Sequence, residues 1–177
     1  MLANQILLQS TYRRLNVLME EIPTLHIRNV LLAEDDDDDF NLLNAAILSI
    51  NASIEILRTK NGVMFSSLLE TSLKPDIIIL DLNMPFKNGI SCLEEIKSRK
   101  QYENTTVIIY STSGTTKDIE ASYQFGASFY LIKPTTYRGI IQQLKSLFFN
   151  DYFLKNIRPP REQFVLGNED FSTFRYN

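Results

Sequence analysis

From Asn29 onward, short apolar runs rich in β-branched residues alternate with longer stretches of helical apolar spacing, and this alternation constrains the fold more than any other feature. It is typical of strand and helix units arranged around a parallel sheet. We count five such units in the 177 residues, with strands predicted at 29–33, 53–58, 77–80, 106–110 and 128–132. The predicted fold is therefore α/β, a doubly wound five-stranded parallel sheet.

Two segments flank the predicted domain, which spans residues 29–149. In residues 1–28, apolar side chains recur at helical intervals, which favours a short amphipathic helix, and Met19 is an alternative start to Met1. In residues 150–177, Pro159, Pro160 and Gly167 argue against one long helix. This tail is too apolar for a solvated linker, so we expect it to dock on the domain or on a partner. The aromatic residues that support this expectation are Phe153, Phe164, Phe171, Phe174 and Tyr176.

Composition excludes several classes of function. The formal net charge of -3 and the pI near 5.2 give no bulk reason to expect binding to nucleic acid or to an anionic membrane. No run approaches the roughly 20 apolar residues that a transmembrane helix needs, and the N-terminus lacks the residue order of a signal peptide. The single cysteine, Cys92, excludes an internal disulfide and a zinc site of the CxxC type. We therefore expect a cytoplasmic protein without nucleic-acid or membrane partners.

Carboxylates follow two of the predicted strands. Glu34 and Asp35 come directly after the first strand, and Asp81 comes directly after the third. Because the carboxyl ends of parallel strands meet at one edge of a sheet, we expect these acids to lie together. Close acids repel one another unless a cation intervenes, and an all-oxygen set suits Mg²⁺. The later acids of the run, residues 37–39, are interpreted as helix caps.

A hydroxyl group and an ammonium group reach the same edge. Ser111 follows the fourth predicted strand and Lys133 follows the fifth. Together with the three acids, they point to phosphoryl transfer onto Asp81. A carboxylate can act as the nucleophile, Mg²⁺ and Lys133 would neutralise the phosphoryl oxygens, and Ser111 would hydrogen-bond the product.

Four motifs, VLLAEDD, IILDLNMPFKNG, IIYST and FYLIKP, occur in the order found in receiver domains of two-component response regulators, and residues 28–149 resemble that family. The resemblance implies the flavodoxin-like receiver fold with Asp81 as the phosphoacceptor. It also implies a Mg²⁺ site formed by Glu34, Asp35, Asp81 and the backbone carbonyl of Asn83.

The resemblance further implies a conformational switch. Ser111 is similar to the switch hydroxyl, which moves toward the phosphorylated aspartate, and Tyr130 is similar to the switch aromatic, which then turns inward. Asn83 and Ser113 occupy the two positions that tune the lifetime of the phosphoryl group. Lys133 is similar to the family's lysine, which precedes a proline in a cis peptide bond.

The chain looks most like stand-alone, single-domain receivers, some of which are associated with histidine kinases of the photoreceptor type. This likeness implies a histidine kinase or a histidine phosphotransfer protein as the phosphodonor, and a protein target as the readout. A homodimer would form through the face of helix 4, strand 5 and helix 5, or through the C-terminal tail. Such a protein is not an enzyme in the usual sense, because it catalyses only its own phosphorylation and dephosphorylation.

Two alternatives stay open at this point. A degenerate receiver would bind a partner without being phosphorylated. A phosphatase of the haloacid dehalogenase type is the remote alternative, because Asp81, Leu82 and Asn83 follow an apolar strand as its nucleophile motif does. That family requires an acid at the position of Asn83 and carries its nucleophile on an early strand.

Overall fold

A six-stranded, entirely parallel sheet forms the centre of this computed structural model, which describes residues 27–167. The strands are β1 (Asn29–Ala33), β2 (Glu55–Thr59), β3 (Ile77–Leu80), β4 (Thr106–Ser111), β5 (Phe129–Ile132) and β6 (Val165–Leu166). Their order across the sheet is β2-β1-β3-β4-β5-β6. The predicted α/β fold with a doubly wound parallel sheet is confirmed.

Helices connect the strands and cover the sheet. The α-helices are α1 (Asp37–Ile50), α2 (Gly62–Leu69), α3 (Gly89–Ser98), α4 (Thr116–Gln124), α5 (Tyr137–Phe148) and α6 (Asp151–Leu154). Two 3-10 helices, Lys100–Tyr102 and Arg161–Gln163, complete the described elements. Within residues 27–167, no helix has the length and apolarity needed to cross a bilayer.

The helix ends follow from residues with specific capping chemistry. Asp36 precedes α1, and its carboxylate accepts hydrogen bonds from the backbone N–H groups of Asp38 and Asp39. Asparagine and threonine side chains cap the other α-helices in the same way. Beyond α4, Gly126 has a φ of 91°, a left-handed conformation that glycine adopts without a steric penalty. Local sequence therefore sets where the chain leaves each strand and enters a helix.

Two apolar clusters hold the layers together, one on each face of the sheet. The first joins the sheet to α1 and α5, and the second joins it to α2, α3 and α4. All four residues of β3 are buried, as expected for a central parallel strand covered on both faces. Cys92 lies in the second cluster with no exposed surface. The packing fixes β3 firmly, and with it the residue that follows the strand, Asp81.

The prediction of five strands is wrong, because the tail supplies a sixth. Val165 and Leu166 pair with Tyr130 and Leu131, so β6 extends the sheet beyond β5. A strand of two residues has no alternation that sequence patterns could reveal, and its position depends on the docking of Phe164, which has no exposed surface. The described part of the tail thus docks on the domain itself.

Several predictions concern residues outside 27–167. The predicted N-terminal amphipathic helix lies outside the described residues, and so do the tail aromatics Phe171, Phe174 and Tyr176.

The second strand begins two residues later than predicted, at Glu55, because its pairing with β1 starts opposite Asn29.

Candidate functional site

Three carboxylates meet at the carboxyl edge of the sheet. Glu34 follows the last residue of β1 and Asp81 follows the last residue of β3, and these strands pair in parallel. One carboxylate oxygen from each of Glu34, Asp35 and Asp81 lies within 4.8 Å of the others. Glu34 and Asp81 are buried, whereas Asp35 is exposed. The predicted convergence of these acids is what the parallel register produces.

The Lys133 ammonium group lies among these acids. Its backbone N–H donates to the carbonyl of Ser111 at 2.8 Å, which continues the β4 and β5 ladder by one residue. Its Nζ donates to Glu34 Oε2 at 2.7 Å, to Asp39 Oδ2 at 2.7 Å and to Asp81 Oδ2 at 2.9 Å. The lysine side chain is 6% exposed, so these contacts are shielded from solvent. The cation therefore partly offsets the repulsion among the acids.

Burial and neighbouring charge perturb the protonation of this cluster. Burial raises the pKa of Glu34 to about 7, and the nearby carboxylates of Asp81 and Asp39 add to the rise. The hydrogen bond and the charge of Lys133 oppose that rise without cancelling it. For Lys133, burial lowers the pKa, but hydrogen bonds to Asp39 and Glu34 outweigh it and hold the pKa above its ordinary value. The lysine stays charged at neutral pH, and Glu34 titrates there.

The acidic run after β1 is more differentiated than a set of helix caps. Asp36 is the cap of α1, whereas Asp37 forms ion pairs with Arg58 and Lys60. Asp39 binds Lys133, and the capping carboxylate belongs to Asp36, so the interpretation of residues 37–39 as caps is wrong. Asp39 lies in the first turn of α1, and no sequence signal distinguishes it from Asp37 and Asp38.

Arg58, at the end of β2, was also missed by sequence reasoning. Its Nε donates to the backbone carbonyl of Glu34 at 2.9 Å, and its second terminal nitrogen donates to that of Asp35 at 3.0 Å. The guanidinium also lies over the ring of Phe40, 4.4 Å from the centroid. Arg58 thus holds the backbone that carries the acidic pair. Nothing in the sequence distinguishes this arginine from an ordinary exposed one at a strand end.

The turn after β3 is held tightly beside Asp81. The backbone N–H of Asn83 donates to Asp81 Oδ1 at 3.1 Å, and that of Gly89 donates to the carbonyl of Leu82 at 3.0 Å. Phe86 has a φ of 67°, which is unfavourable for a bulky residue, and it is 87% exposed. The side chain of Asn83 is exposed at the mouth of the site. This turn fixes the direction of the Asp81 carboxylate.

Ser111 and Tyr130 are linked through the loop that follows β4. Ser111 is fully buried, and its Oγ accepts a hydrogen bond from the backbone N–H of Ser113 at 3.2 Å. Tyr130 donates from its hydroxyl group to the carbonyl of Ser113 at 2.6 Å. The ring of Tyr130 is already inside, with no exposed surface, and lies 6.2 Å from the ring of Phe164.

The peptide bond before Pro134 does not match the resemblance. No cis peptide bond occurs among residues 27–167, so the predicted cis bond between Lys133 and Pro134 is wrong for this structure. Proline permits either isomer, because its tertiary amide reduces the preference for trans to about 0.5–1 kcal/mol. The trans bond is compatible with all three contacts of the Lys133 ammonium group.

Comparison with known proteins shows which proteins this chain is similar to. The response regulator Rcp1 of Synechocystis sp. strain PCC 6803 is 26% identical over 137 residues, which cover 74% of this chain and 92% of Rcp1. The crystal structure of the Mn(2+)-bound form of Rcp1 matches with a TM-score of 0.63, over 70% of this chain and 96% of that chain. The phosphorylated cyanobacterial phytochrome response regulator RcpA matches with a TM-score of 0.65 at 28% identity, over 72% of this chain and 94% of that chain.

A protein-family model described as the response regulator receiver domain matches residues 30–145, which is well over half of the chain. The matched range begins in β1 and ends in α5, so it contains the edge at which the acids and the lysine meet. The chain belongs to the response regulator receiver domain family.

Proposed function

We propose that this response regulator accepts a phosphoryl group on Asp81 from a histidine kinase or a histidine phosphotransfer protein. The observation that carries the proposal is the Lys133 ammonium group, which lies 2.9 Å from Asp81 Oδ2 and 2.7 Å from Glu34 Oε2. A candidate nucleophile, a permanent cation and further carboxylates therefore share one buried edge of the sheet. These are the groups that phosphoryl transfer to a carboxylate uses, a nucleophile and positive charge beside it.

The reaction follows from the positions of these side chains. An Asp81 carboxylate oxygen forms a bond to phosphorus while the bond between phosphorus and the donor nitrogen breaks, and the electron pair leaves with the donor imidazole. Lys133 donates hydrogen bonds to the phosphoryl oxygens and offsets their charge. Ser111, the last residue of β4, is proposed to donate a hydrogen bond to the phosphoryl group of the product. The protein itself contributes positioning and charge.

The acidic residues fit a magnesium ion. Glu34, Asp35 and Asp81 provide carboxylate oxygens within 4.8 Å of one another, and the backbone carbonyl of Asn83 is the proposed fourth protein ligand. Held by these residues, Mg²⁺ would supply positive charge to the phosphoryl oxygens in addition to that of Lys133. The Mn(2+)-bound structure of Rcp1 supports a divalent cation in this family.

Magnesium affinity is expected to depend on pH through Glu34. Burial raises its pKa from 4.5 to about 7, so protons and Mg²⁺ compete for the same carboxylate near neutral pH. One pH unit below the pKa, affinity should be about tenfold weaker than on the plateau above it. Calorimetric titration with MgCl₂ between pH 6 and pH 8 measures this, and two buffers of different ionisation enthalpy report the proton released.

The matched control is Glu34→Gln, which should bind Mg²⁺ more weakly but with a flat dependence over this pH range. Without Mg²⁺, the stability of the fold depends on pH in the opposite direction to Mg²⁺ affinity. Because the pKa of Glu34 is raised in the folded state, this residue stabilises the fold below about pH 4.5, and the stabilisation is lost as the pH rises to about 7. A steep pH dependence that persists in Glu34→Gln would show that another group controls the affinity.

Arg58→Lys is expected to weaken Mg²⁺ binding about tenfold, as loss of a group that orients ligands does. Lysine keeps the charge, but it cannot donate at once to the carbonyls of Glu34 and Asp35 as the arginine fork does. Calorimetric Mg²⁺ titration of the variant measures the effect. The control is Arg138→Lys in α5, where the arginine is exposed. Equal affinities in the two variants would contradict the role of Arg58.

Two residues at the mouth of the site are proposed to set the lifetime of the phosphoryl group. Asn83 is exposed beside Asp81, and its backbone N–H is hydrogen-bonded to the Asp81 carboxylate. The Ser113 hydroxyl group donates to Asp118 in the first turn of α4. The two residues lie in the loops that follow the neighbouring strands β3 and β4, at the carboxyl edge that carries Asp81.

The readout is proposed to pass through the face of α4, β5 and α5, where Tyr130 lies. In the structure the tail covers the edge of this face. The backbone N–H of Tyr130 donates to the carbonyl of Phe164 at 2.9 Å, and the Phe164 ring packs edge-on against Tyr123 at 5.0 Å. Gln143 of α5 donates to the carbonyl of Leu166 at 2.8 Å. A target or a second copy that docks on this face must therefore contact or displace the tail.

The direct test uses a small phosphodonor. Purified protein is incubated with acetyl phosphate, with and without Mg²⁺, and its intact mass is measured. A Mg²⁺-dependent gain of one phosphoryl group is the expected result. If no gain is observed, beryllofluoride binding separates a rapidly hydrolysing site, which still binds it, from a degenerate receiver, which does not.

Membership of the receiver family removes the reason to retain the phosphatase alternative.

A further inference from the structure

The Lys133 ammonium group uses all of its hydrogen-bond donors on carboxylates. Its Nζ contacts Glu34 and Asp39 at 2.7 Å and Asp81 at 2.9 Å. A lysine has three such donors and no acceptor, so none remains for a phosphoryl oxygen while all three bonds persist. Before Lys133 can donate to a phosphoryl oxygen, at least one of the three carboxylates must therefore give up its hydrogen bond to Nζ.

Two of the three acceptors have a second task in the proposed reaction. Glu34 and Asp81 belong, with Asp35, to the group of carboxylates that could hold a metal ion. Asp39 is not a member of that group. When the other two carboxylates turn to a cation or to phosphorus, Asp39 is the acceptor that can keep its bond to Lys133.

Asp39 is well placed for this task because the start of α1 holds it. Its backbone N–H donates to the carboxylate of Asp36 at 2.9 Å, which fixes the first helical turn. The side chain of Asp39 is 39% exposed, whereas those of Glu34 and Asp81 are 1% and 8% exposed. Asp39 therefore binds the ammonium group from the solvent side, and the other two acids bind it from within the protein.

We propose that Asp39 is a positioning residue for Lys133. It retains one N–H group of the ammonium and directs the other two toward Asp81 and the phosphoryl group that Asp81 accepts. The inference rests on the proposed phosphoryl transfer, and it adds a residue that the resemblance to the receiver family does not supply. It also gives the unusually long acidic run a function beyond helix capping.

A double-mutant cycle tests this role. The proteins are wild type, Asp39→Ala, Lys133→Met and the double variant, with Asp38→Ala as the control that removes the same charge from the neighbouring exposed position. Phosphorylation by acetyl phosphate is followed at saturating Mg²⁺. We expect Asp39→Ala to slow the reaction about tenfold through misplacement of Lys133, and Asp38→Ala to change it less than about twofold. In the Lys133→Met background, Asp39→Ala should have no further effect.

The magnesium affinity separates positioning from metal binding. Asp39→Ala and Asp38→Ala should bind Mg²⁺ with affinities within about twofold of each other, because both lose one nearby charge and neither loses a ligand. The proposal is overturned if Asp39→Ala slows the Lys133→Met protein as much as it slows wild type. It is also overturned if Mg²⁺ affinity falls in parallel with the rate.

The contact itself can be tested without any phosphodonor. Urea unfolding midpoints of the same four proteins should be non-additive, because the two side chains share an ion pair at 2.7 Å. Additive midpoints would show that Asp39 does not engage Lys133 in solution. If wild type takes up no phosphoryl group and binds no beryllofluoride while the midpoints are non-additive, the proposed function fails and the Asp39 contact is purely structural, which also overturns the positioning role.

Discussion

Asp81→Asn is expected to abolish Mg²⁺-dependent phosphorylation without unfolding the domain. Asparagine has nearly the same shape, and its single amide oxygen can still accept one of the two hydrogen bonds that the carboxylate oxygens of Asp81 accept, from Lys133 or from the backbone N–H of Asn83. An amide is not a nucleophile toward phosphorus, however, so no covalent product should form. Intact mass after incubation with acetyl phosphate and Mg²⁺ measures the product, and thermal unfolding of the same sample reports the fold.

Asp38→Asn is the matched control for this prediction. It makes the same chemical change at an exposed acid in the first turn of α1, and it should gain one phosphoryl group as wild type does. An Asp81→Asn protein that gains the group with an unchanged yield would contradict the assignment of Asp81. If both variants and wild type fail to gain it and none binds beryllofluoride, the chain is a degenerate receiver.

Gly89→Ala is expected to damage both the fold and the reaction. A Cβ atom at this position would lie 2.2 Å from the backbone oxygen of Asp81 and 2.9 Å from Cα of Leu82, so the backbone beside the phosphoacceptor must shift. Overpacking of this kind costs about 1–3 kcal/mol of unfolding free energy. A displacement of about 1 Å at a reacting group can cost about 100-fold in rate. The urea unfolding midpoint and the rate of phosphorylation by acetyl phosphate measure the two effects.

Gly114→Ala provides the comparison, because it adds the same methyl group in another loop at this edge of the sheet. The nearest atom to its Cβ would be Ile132 Cδ1 at 3.5 Å, an ordinary contact. We expect stability and rate close to those of wild type. A Gly89→Ala protein with the stability and rate of Gly114→Ala would show that the turn after β3 accommodates the methyl group, and that it does not fix Asp81.

The convergence of the acids and the lysine was predictable because it depends on repeating patterns. The apolar run of β3 indicates a buried strand, and the polar residue after it must lie at the rim. The parallel arrangement then brings Glu34, Asp81 and Lys133 to one edge, whatever the details of packing. The structure places the Lys133 ammonium group within hydrogen-bond distance of both carboxylates.

Other features of the site depend on choices that no pattern encodes. Arg58 is one of several charged residues near strand ends, and only the pairing of β1 with β2 brings it to the carbonyls of Glu34 and Asp35. The inward position of Tyr130 similarly depends on the carbonyl of Ser113 and on the ring of Phe164. These partners are distant in sequence, and packing selects them.

The sequence by itself determined the α/β class, the parallel arrangement of the first five strands and the convergence of Glu34, Asp81 and Lys133 at the carboxyl edge of the sheet. Hydrophobic periodicity encodes which side of each element is buried, and that information is local. Tertiary structure alone decided that Lys133 binds Glu34, 99 positions away, together with Asp39, and that the tail adds β6 beside β5. Such contacts depend on which side chains reach one another after the layers have packed. Short apolar patterns carry no information about contacts between residues so far apart in the sequence.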